Sequence, residues 1–278
     1  MGSASAASLI QLVAEKCQEF AYSWNDKNVL KELGNLTSQL RSQDLNFSMN
    51  AYQFDIRGPT LYVMPVYFDE DMTITLYVLK GNAQIPIHDH PSMHSLIRVL
   101  EGKLQIAGYT KTESPPLNGG RTVRVRPGML RVFGNSERTY ITTPTADNLH
   151  SLRAVGGPAA YLDILVPPFE PDVRDRTQFE VANPTRGLDE ADVLTLRRIE
   201  PAPLAIQELE YRGPKVYLRR PNGRARPEAR PATNGRARPA SMGRPAANLR
   251  AENGDDRSRV FTVVCPTCST EIAWRAQI

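Results

Sequence analysis

The sequence predicts a mainly β fold: a closed antiparallel barrel, preceded by two helices and followed by a disordered arginine-rich tail. Three observations carry this. About ten short segments rich in Val, Ile, Thr and Tyr follow one another between residues 61 and 166, with turn residues and almost no helical pattern between them. Ahead of them, two stretches place apolar residues at helical rather than alternating spacing. Beyond Leu218 the chain loses most residues able to build a core.

In chain order, Ser8 to Trp24 sets Leu9, Leu12, Val13, Cys17 and Phe20 on one helical stripe, with Ser8 as N-cap and Cys17 buried. A second helix is predicted from Asp26 to Arg41, with Val29, Leu30, Leu33, Leu36 and Leu40 on one face and Gly34 as its weak point. Both helices are expected on one sheet. The strands then read Leu61–Phe68, Met72–Leu79, Ile85–His90, Leu96–Leu100, Lys103–Tyr109, Thr122–Val125, Leu130–Phe133, Thr139–Thr142, Leu149–Ala154 and Ala159–Val166. Asp69-Glu70-Asp71, Lys80-Gly81, Glu101-Gly102, Asn118-Gly119-Gly120, Pro127-Gly128 and Gly134-Asn135-Ser136 read as the turns between them. The division expected is residues 1–50 for the helices, 51–218 for the barrel, 219–259 for the tail and 260–278 for a short apolar C-terminus.

With 278 residues, 41% hydrophobic and 23% charged, the composition is that of a soluble globular protein. It has no apolar run long enough to span a bilayer, and the first residues lack a secretory pattern. Three cysteines, an odd number, argue for a reducing compartment. A cytoplasmic protein, with the nucleus as the other option, is therefore expected, and a monomer. The net charge of +4 conceals an asymmetry: residues 219–259 hold eleven arginines against four acidic residues. That tail repeats Asn-Gly-Arg-Ala-Arg-Pro at 222–227 and 234–239. It reads as a solvated linker or as a weak, salt-sensitive polyanion binder. Cys265 and Cys268 form a CxxC with no second pair to complete a zinc site, so an exposed end or a short docking strand is expected there.

Three of the four histidines fall in Ile85-Pro86-Ile87-His88-Asp89-His90-Pro91-Ser92-Met93-His94. Residues i and i+2 of a strand share a face at roughly 6.5 Å, so His88 and His90 point together while Asp89 turns away. Two imidazoles at that spacing can serve one first-row metal ion. His150, in Asn148-Leu149-His150-Ser151-Leu152, lies outside that stretch and is the candidate third ligand. His94 follows Pro91 and sits ambiguously at a strand end. A barrel interior brings His88, His90 and His150 to one dry point.

The run from Gly81 to Gly102 with its HxH resembles the first motif of a cupin barrel, the double-stranded β-helix. It lacks the usual metal-binding glutamate, and His94 or Ser95 stands there. Residues 85–94, Val-Leu-Glu-Gly at 99–102, Asn-Leu-His-Ser at 148–151 and Gly-Pro-Ala-Ala-Tyr-Leu-Asp-Ile-Leu-Val-Pro-Pro at 157–168 together resemble the 2-aminoethanethiol (cysteamine) dioxygenases and plant cysteine oxidases. The likeness runs from about Ala7 to Leu218. It implies a non-haem Fe(II) enzyme that adds O2 to a thiol and releases a sulfinic acid, with cysteamine or a Cys-initiated peptide or protein as substrate. Three neutral imidazoles leave the charge of Fe(II) uncompensated and coordination positions open, which suits a thiolate beside O2. Asp163 matches the family's acidic position near the substrate. Its expected part is to hold a substrate ammonium or a ligand N–H, against the plainer reading of a turn or salt-bridge residue.

The sequence also departs from the family pattern. Phe169, Arg176 and Gln178 stand where members commonly carry Tyr, Cys and Tyr, so a Cys–Tyr crosslink cannot form and a phenol is lost. Two other functions fit a three-histidine barrel: a zinc-dependent hydrolase, and a binding module with a degenerate site.

Overall fold

The computed structural model describes residues 7–52, 58–112, 121–170, 173–174, 176–182, 193–201 and 204–219, and the backbone of 258–264 and 271–277. Most of the arginine-rich tail, Cys265 and Cys268 lie outside the described residues.

Helices α1 (Leu9–Tyr22) and α2 (Lys27–Thr37) begin at the side chains the sequence marks. Ser8 Oγ accepts from Gln11 N, and Asp26 Oδ1 accepts from Asn28 N at 2.8 Å and Val29 N at 3.3 Å, satisfying amide groups the first turn leaves open. The buried stripe of α1 is Ile10, Val13, Ala14, Cys17, Phe20 and Ala21; Leu12 is one residue off this spacing and faces outward. α2 ends four residues before the expected Arg41. Ser38 Oγ bonds back to Gly34 O, at 2.6 Å, and accepts from Thr139 N at 2.9 Å, diverting the chain onto the sheet. Gly34 itself is a close approach: a Cβ there would stand 2.6 Å from Ile141 Cδ1.

The strands are β1 (Leu61–Phe68), β2 (Thr73–Leu79), β3 (Gln84–Asp89), β4 (His94–Glu101), β5 (Leu104–Lys111), β6 (Thr122–Phe133), β7 (Tyr140–Thr142), β8 (Leu149–Ala154), β9 (Ala159–Val166), β10 (Gln178–Val181), β11 (Leu194–Ile199) and β12 (Ile206–Glu208), with β13 (Ser258–Val264) and β14 (Glu271–Gln277) paired separately as an antiparallel hairpin. One sheet runs β12-β1-β2-β9-β4-β7. The strands β10-β11-β6-β5-β8-β3 close on themselves. The pairs are antiparallel except β1 with β12. This is the mainly β, cupin-like barrel with two N-terminal helices that the sequence predicts.

Two apolar layers hold it together. The helices cover one face of the open sheet, where Phe20, Leu33 and Leu40 join Met64, Leu76, Leu96, Leu162 and Ile164. The opposite face meets the closed sheet through Val63, Ile97, Val99 and Tyr161 on one side and Ile85, Leu104, Ile106 and Leu152 on the other. Fully burying each such side chain contributes about 1.5–3 kcal/mol. Arg98 is buried on the helix side of β4, on the face of Leu96 and Leu100, donating to Leu40 O, Asn135 O and Glu137 O. These carbonyls offset the cost of sequestering its charge and fasten the end of α2 to the loop before β7.

One predicted turn is absent. Thr122–Val125 and Leu130–Phe133 belong to the single strand β6, and Pro127-Gly128 runs through it. Pro127 is tolerated because β11 pairs only with residues 122–125, so its missing N–H falls where β6 has a single neighbour, β5.

Candidate metal centre

The site forms where β3 meets β8 and β10. His88 lies directly across from His150 in the β3–β8 pair, after a register irregularity between Ile85 and His88. Directly opposed residues share a face, so both imidazoles point the same way as Leu152 and Ala154, into the space between the sheets. His90 follows the end of β3, its N–H bonded to Asn148 O. Ring centroids are 4.5 Å apart for His88 and His150, 5.0 Å for His88 and His90, and 4.9 Å for His90 and His150. One ligand atom from each lies within 4.8 Å of the others, and all three residues are buried.

Protonation fits a metal. Burial first, then the positive charge of Arg176, holds His150 down to about 3, and the same causes with the neighbouring imidazoles hold His88 and His90 well below their ordinary value. All three are neutral at physiological pH and carry a lone pair. His88 Nδ1 is 2.8 Å from Pro86 O, which can only accept, so Nδ1 carries the proton and Nε2 the lone pair. His90 Nε2 and both ring nitrogens of His150 are buried with no hydrogen-bond partner. Left so, each would cost about 1–3 kcal/mol, and a cation removes that cost for His90 Nε2 and for the one His150 nitrogen that carries its lone pair.

Asp89 and His94 are not part of the cluster. Asp89 Oδ1 accepts from Thr177 N at 2.8 Å and Oδ2 pairs with Lys111 Nζ at 2.8 Å. His94 starts β4 on the helix side, edge-on to Phe20 and Trp24 with ring centroids 4.9 Å from each. Asp163, on β9, shares a face with Ala159 and Tyr161 and so looks into the same inter-sheet space as the histidines. Its carboxyl accepts from Ser95 Oγ at 2.8 Å. Burial raises it to about 6 against the opposing pull of Ser95, Arg176 and the Ile164 amide.

Two neighbours of the cluster come from segments with weak sequence signals. Gln178 is buried directly across from His88, and Arg176 is near enough for its charge to act on all three imidazoles. Tyr140, whose ring centroid is 6.3 Å from that of His150, keeps a phenol near the cluster although position 178 has none.

The model of the family described as PCO_ADO matches residues 33–216. The chain belongs to the PCO_ADO family. Among its curated relatives, a 2-aminoethanethiol dioxygenase of Homo sapiens is 32% identical over 219 residues, spanning 68% of this chain and 81% of its own. The protein of that name from Mus musculus is 34% identical over 178 residues, 56% of this chain and 70% of its own. Plant cysteine oxidase 1 of Arabidopsis thaliana is 25% identical, over 57% of this chain and 59% of its own. This PCO_ADO member is thus a thiol dioxygenase by class, and the hydrolase and degenerate-module alternatives are not favoured. No helix among the described residues is long and apolar enough to cross a membrane.

Proposed function

We propose that this protein is a non-haem Fe(II) thiol dioxygenase in which His88, His90 and His150 hold the iron and an aminothiol, either cysteamine or an N-terminal cysteine, is the substrate. The observation that carries the reading is a buried triad of neutral imidazoles in a PCO_ADO chain. When bound there, Fe(II) supplies the redox chemistry for O2 that zinc lacks, and the Lewis acidity that ionises a thiol. The reaction balances without a further reductant: R–SH + O2 gives R–SO2H, the sulfur losing the electrons that O2 gains.

The residues of this chain prepare that step. The Pro86 carbonyl fixes the tautomer of His88, and the apolar layer around Ile97, Val99 and Leu152 excludes bulk water. We assign Asp163, titrating near neutrality beside Ser95, to the substrate ammonium. The same reading places the enzyme in the cytoplasm or nucleus as a monomer and gives the arginine-rich tail at most weak polyanion binding.

The test is anaerobic loading with Fe(II), then oxygen uptake and sulfinate analysis with cysteamine, free cysteine and Cys-initiated peptides. Stoichiometric sulfinate with one of them is expected. Full iron occupancy with no sulfinate from any aminothiol would overturn the assignment.

A further inference from the structure

His150 is the least held of the three candidate ligands. Pro86 O takes the Nδ1 proton of His88, whereas both ring nitrogens of His150 are buried without a hydrogen-bond partner among the described residues. Only one of them can face an ion, so the other is an N–H in need of an acceptor. Tyr140 Oη is in the same condition, buried and unpartnered among the described residues. Tyr140 is level with Ile97 on β4 and so turns into the inter-sheet space beside Phe133. Its ring is nearly perpendicular to that of His150, with the centroids 6.3 Å apart, and its oxygen reaches across to β5. A Cβ on Gly108 would stand against Tyr140 Oη and 3.0 Å from Asp147 Oδ1, and Gly108 is the residue directly across from His150. The glycine thus leaves a gap beside the imidazole that the phenol and the carboxylate share. Asp147 is set there with a φ of 51°, its N–H donated to Thr110 Oγ1 at 2.9 Å.

We infer that Tyr140 is a positioning residue of the metal centre, its phenol oxygen accepting the spare N–H of His150 and its O–H donated to Asp147, so that His150 presents Nε2 to the ion. The inference rests on the reading of His88, His90 and His150 as metal ligands and goes beyond it in assigning the groups that aim one of them. Which nitrogen is held follows from place. Tyr140 Oη lies over Gly108, level with the backbone of His150, where the imidazole's Nδ1 is nearer than its Nε2. His88 keeps Nε2 for the ion in the same way. A phenol suits the position because it accepts and donates at once. It keeps its proton, since burial first and then the Asp147 carboxylate raise it well above its ordinary value. A ligating imidazole held at its second nitrogen is fixed in tautomer and ring orientation, and loss of the holding group typically costs about 10–100-fold in metal affinity or activity. The contact braces a second ligand too: Asn148, the residue after Asp147, accepts from His90 N at 3.1 Å.

The experiment uses full-length protein loaded anaerobically with Fe(II), or with Zn(II) as a diamagnetic probe of the same three imidazoles. Affinity for each ion is read by competition with a chelator, the His150 ring nitrogens by long-range proton–nitrogen NMR of the Zn(II) form, and stability by thermal unfolding with and without ion. Wild-type protein is expected to show a slowly exchanging Nδ1 proton on His150. Tyr140→Phe keeps the ring and removes the oxygen. It should lose that protected proton and bind both ions about tenfold or more weakly, while the ion-free protein melts no lower than wild type. Asp147→Gly, which a positive φ tolerates, should weaken binding in the same direction by a smaller factor. Unchanged ion affinity and an unchanged His150 proton in Tyr140→Phe overturn the inference. So does a Tyr140→Phe protein whose ion-free form is destabilised as much as its loaded form, the mark of a purely structural role. The expected loss of affinity without sulfinate from any aminothiol in wild type keeps this inference and removes the dioxygenase reading. Sulfinate from wild type, with Tyr140→Phe holding ions as tightly, does the reverse.

Discussion

Ser95 donates its hydroxyl proton to Oδ1 of Asp163 at 2.8 Å, joining β4 to β9 on the face that looks toward the histidine triad. That bond alone does not keep the carboxyl in its usual range, because burial outweighs it and raises the group to about 6. A carboxyl whose folded value is raised contributes stability that is full below its unfolded value near 3.8 and is lost as pH rises through 6. Asp163→Asn should therefore be more stable than wild type at pH 7.5, by about 2 kcal/mol, with the gain gone near pH 3.5. Urea unfolding at the two pH values measures this, and a variant less stable at pH 7.5 contradicts it. The same substitution should raise KM for cysteamine about tenfold.

His150→Ala removes one of three proposed ligands and should abolish iron retention and turnover together. His94→Ala should keep its iron, since His94 stands on the helix side against Phe20 and Trp24. Metal content after gel filtration, measured beside oxygen consumption, distinguishes the two. An iron-replete His150→Ala protein that still consumes oxygen with thiol would remove His150 from the site.

His94 gives a second pH signature, of opposite sign. Burial lowers it to about 4, and a hydrogen bond to the Val166 backbone only partly opposes this. Its contribution is therefore full above the unfolded value near 6.5 and is lost as pH falls toward 4. The stability difference between wild type and His94→Gln should shrink by about 2 kcal/mol between pH 7.5 and pH 5. A difference independent of pH would show that the imidazole is not held neutral.

Truncation after Leu218 should leave the oxidation rate per iron within about threefold, or under roughly 0.7 kcal/mol of barrier. The proposed ligands all precede that point. The last described stretch before it is anchored, with Gln11 Nε2 donating to Tyr217 O at 2.8 Å and Tyr217 N to Gln11 Oε1 at 2.9 Å. On a nucleic-acid column the full-length protein should elute at higher salt than the truncated one. Equal elution removes polyanion binding.

Local pattern carried most of the barrel. Strands such as Leu149–Ala154 and Ala159–Val166 match their predicted limits because apolar residues and turn residues mark both ends. β10, β11 and β12 were not legible. Each has only three to six residues, Arg197 and Arg198 interrupt β11, and their place is set by distant partners: β3 for Gln178 and β6 for Leu194. Pro127-Gly128 looked like a turn because composition cannot say that β6 lacks a second neighbour there. For the site, the spacing of His88 and His90 and the isolation of His150 pointed to three residues that the fold brings together. Arg176 and Gln178 entered the sequence reading only as departures from a family pattern. Their closeness to the triad depends on the pairing of β10 with β3, which no local signal announces.

Asp89 gives the three-residue word His88-Asp89-His90 two addresses. Its outer letters belong to the triad, while the middle one, accepting through Oδ1 from Thr177 N, fastens the segment entering β10 to β3. Adjacent positions of one strand thus serve two ends, the grouping of imidazoles and the fastening of a neighbouring segment. A change at residue 89 would loosen the joint between β3 and the segment entering β10 without altering any imidazole. An inventory of histidines alone would count such a protein as unchanged.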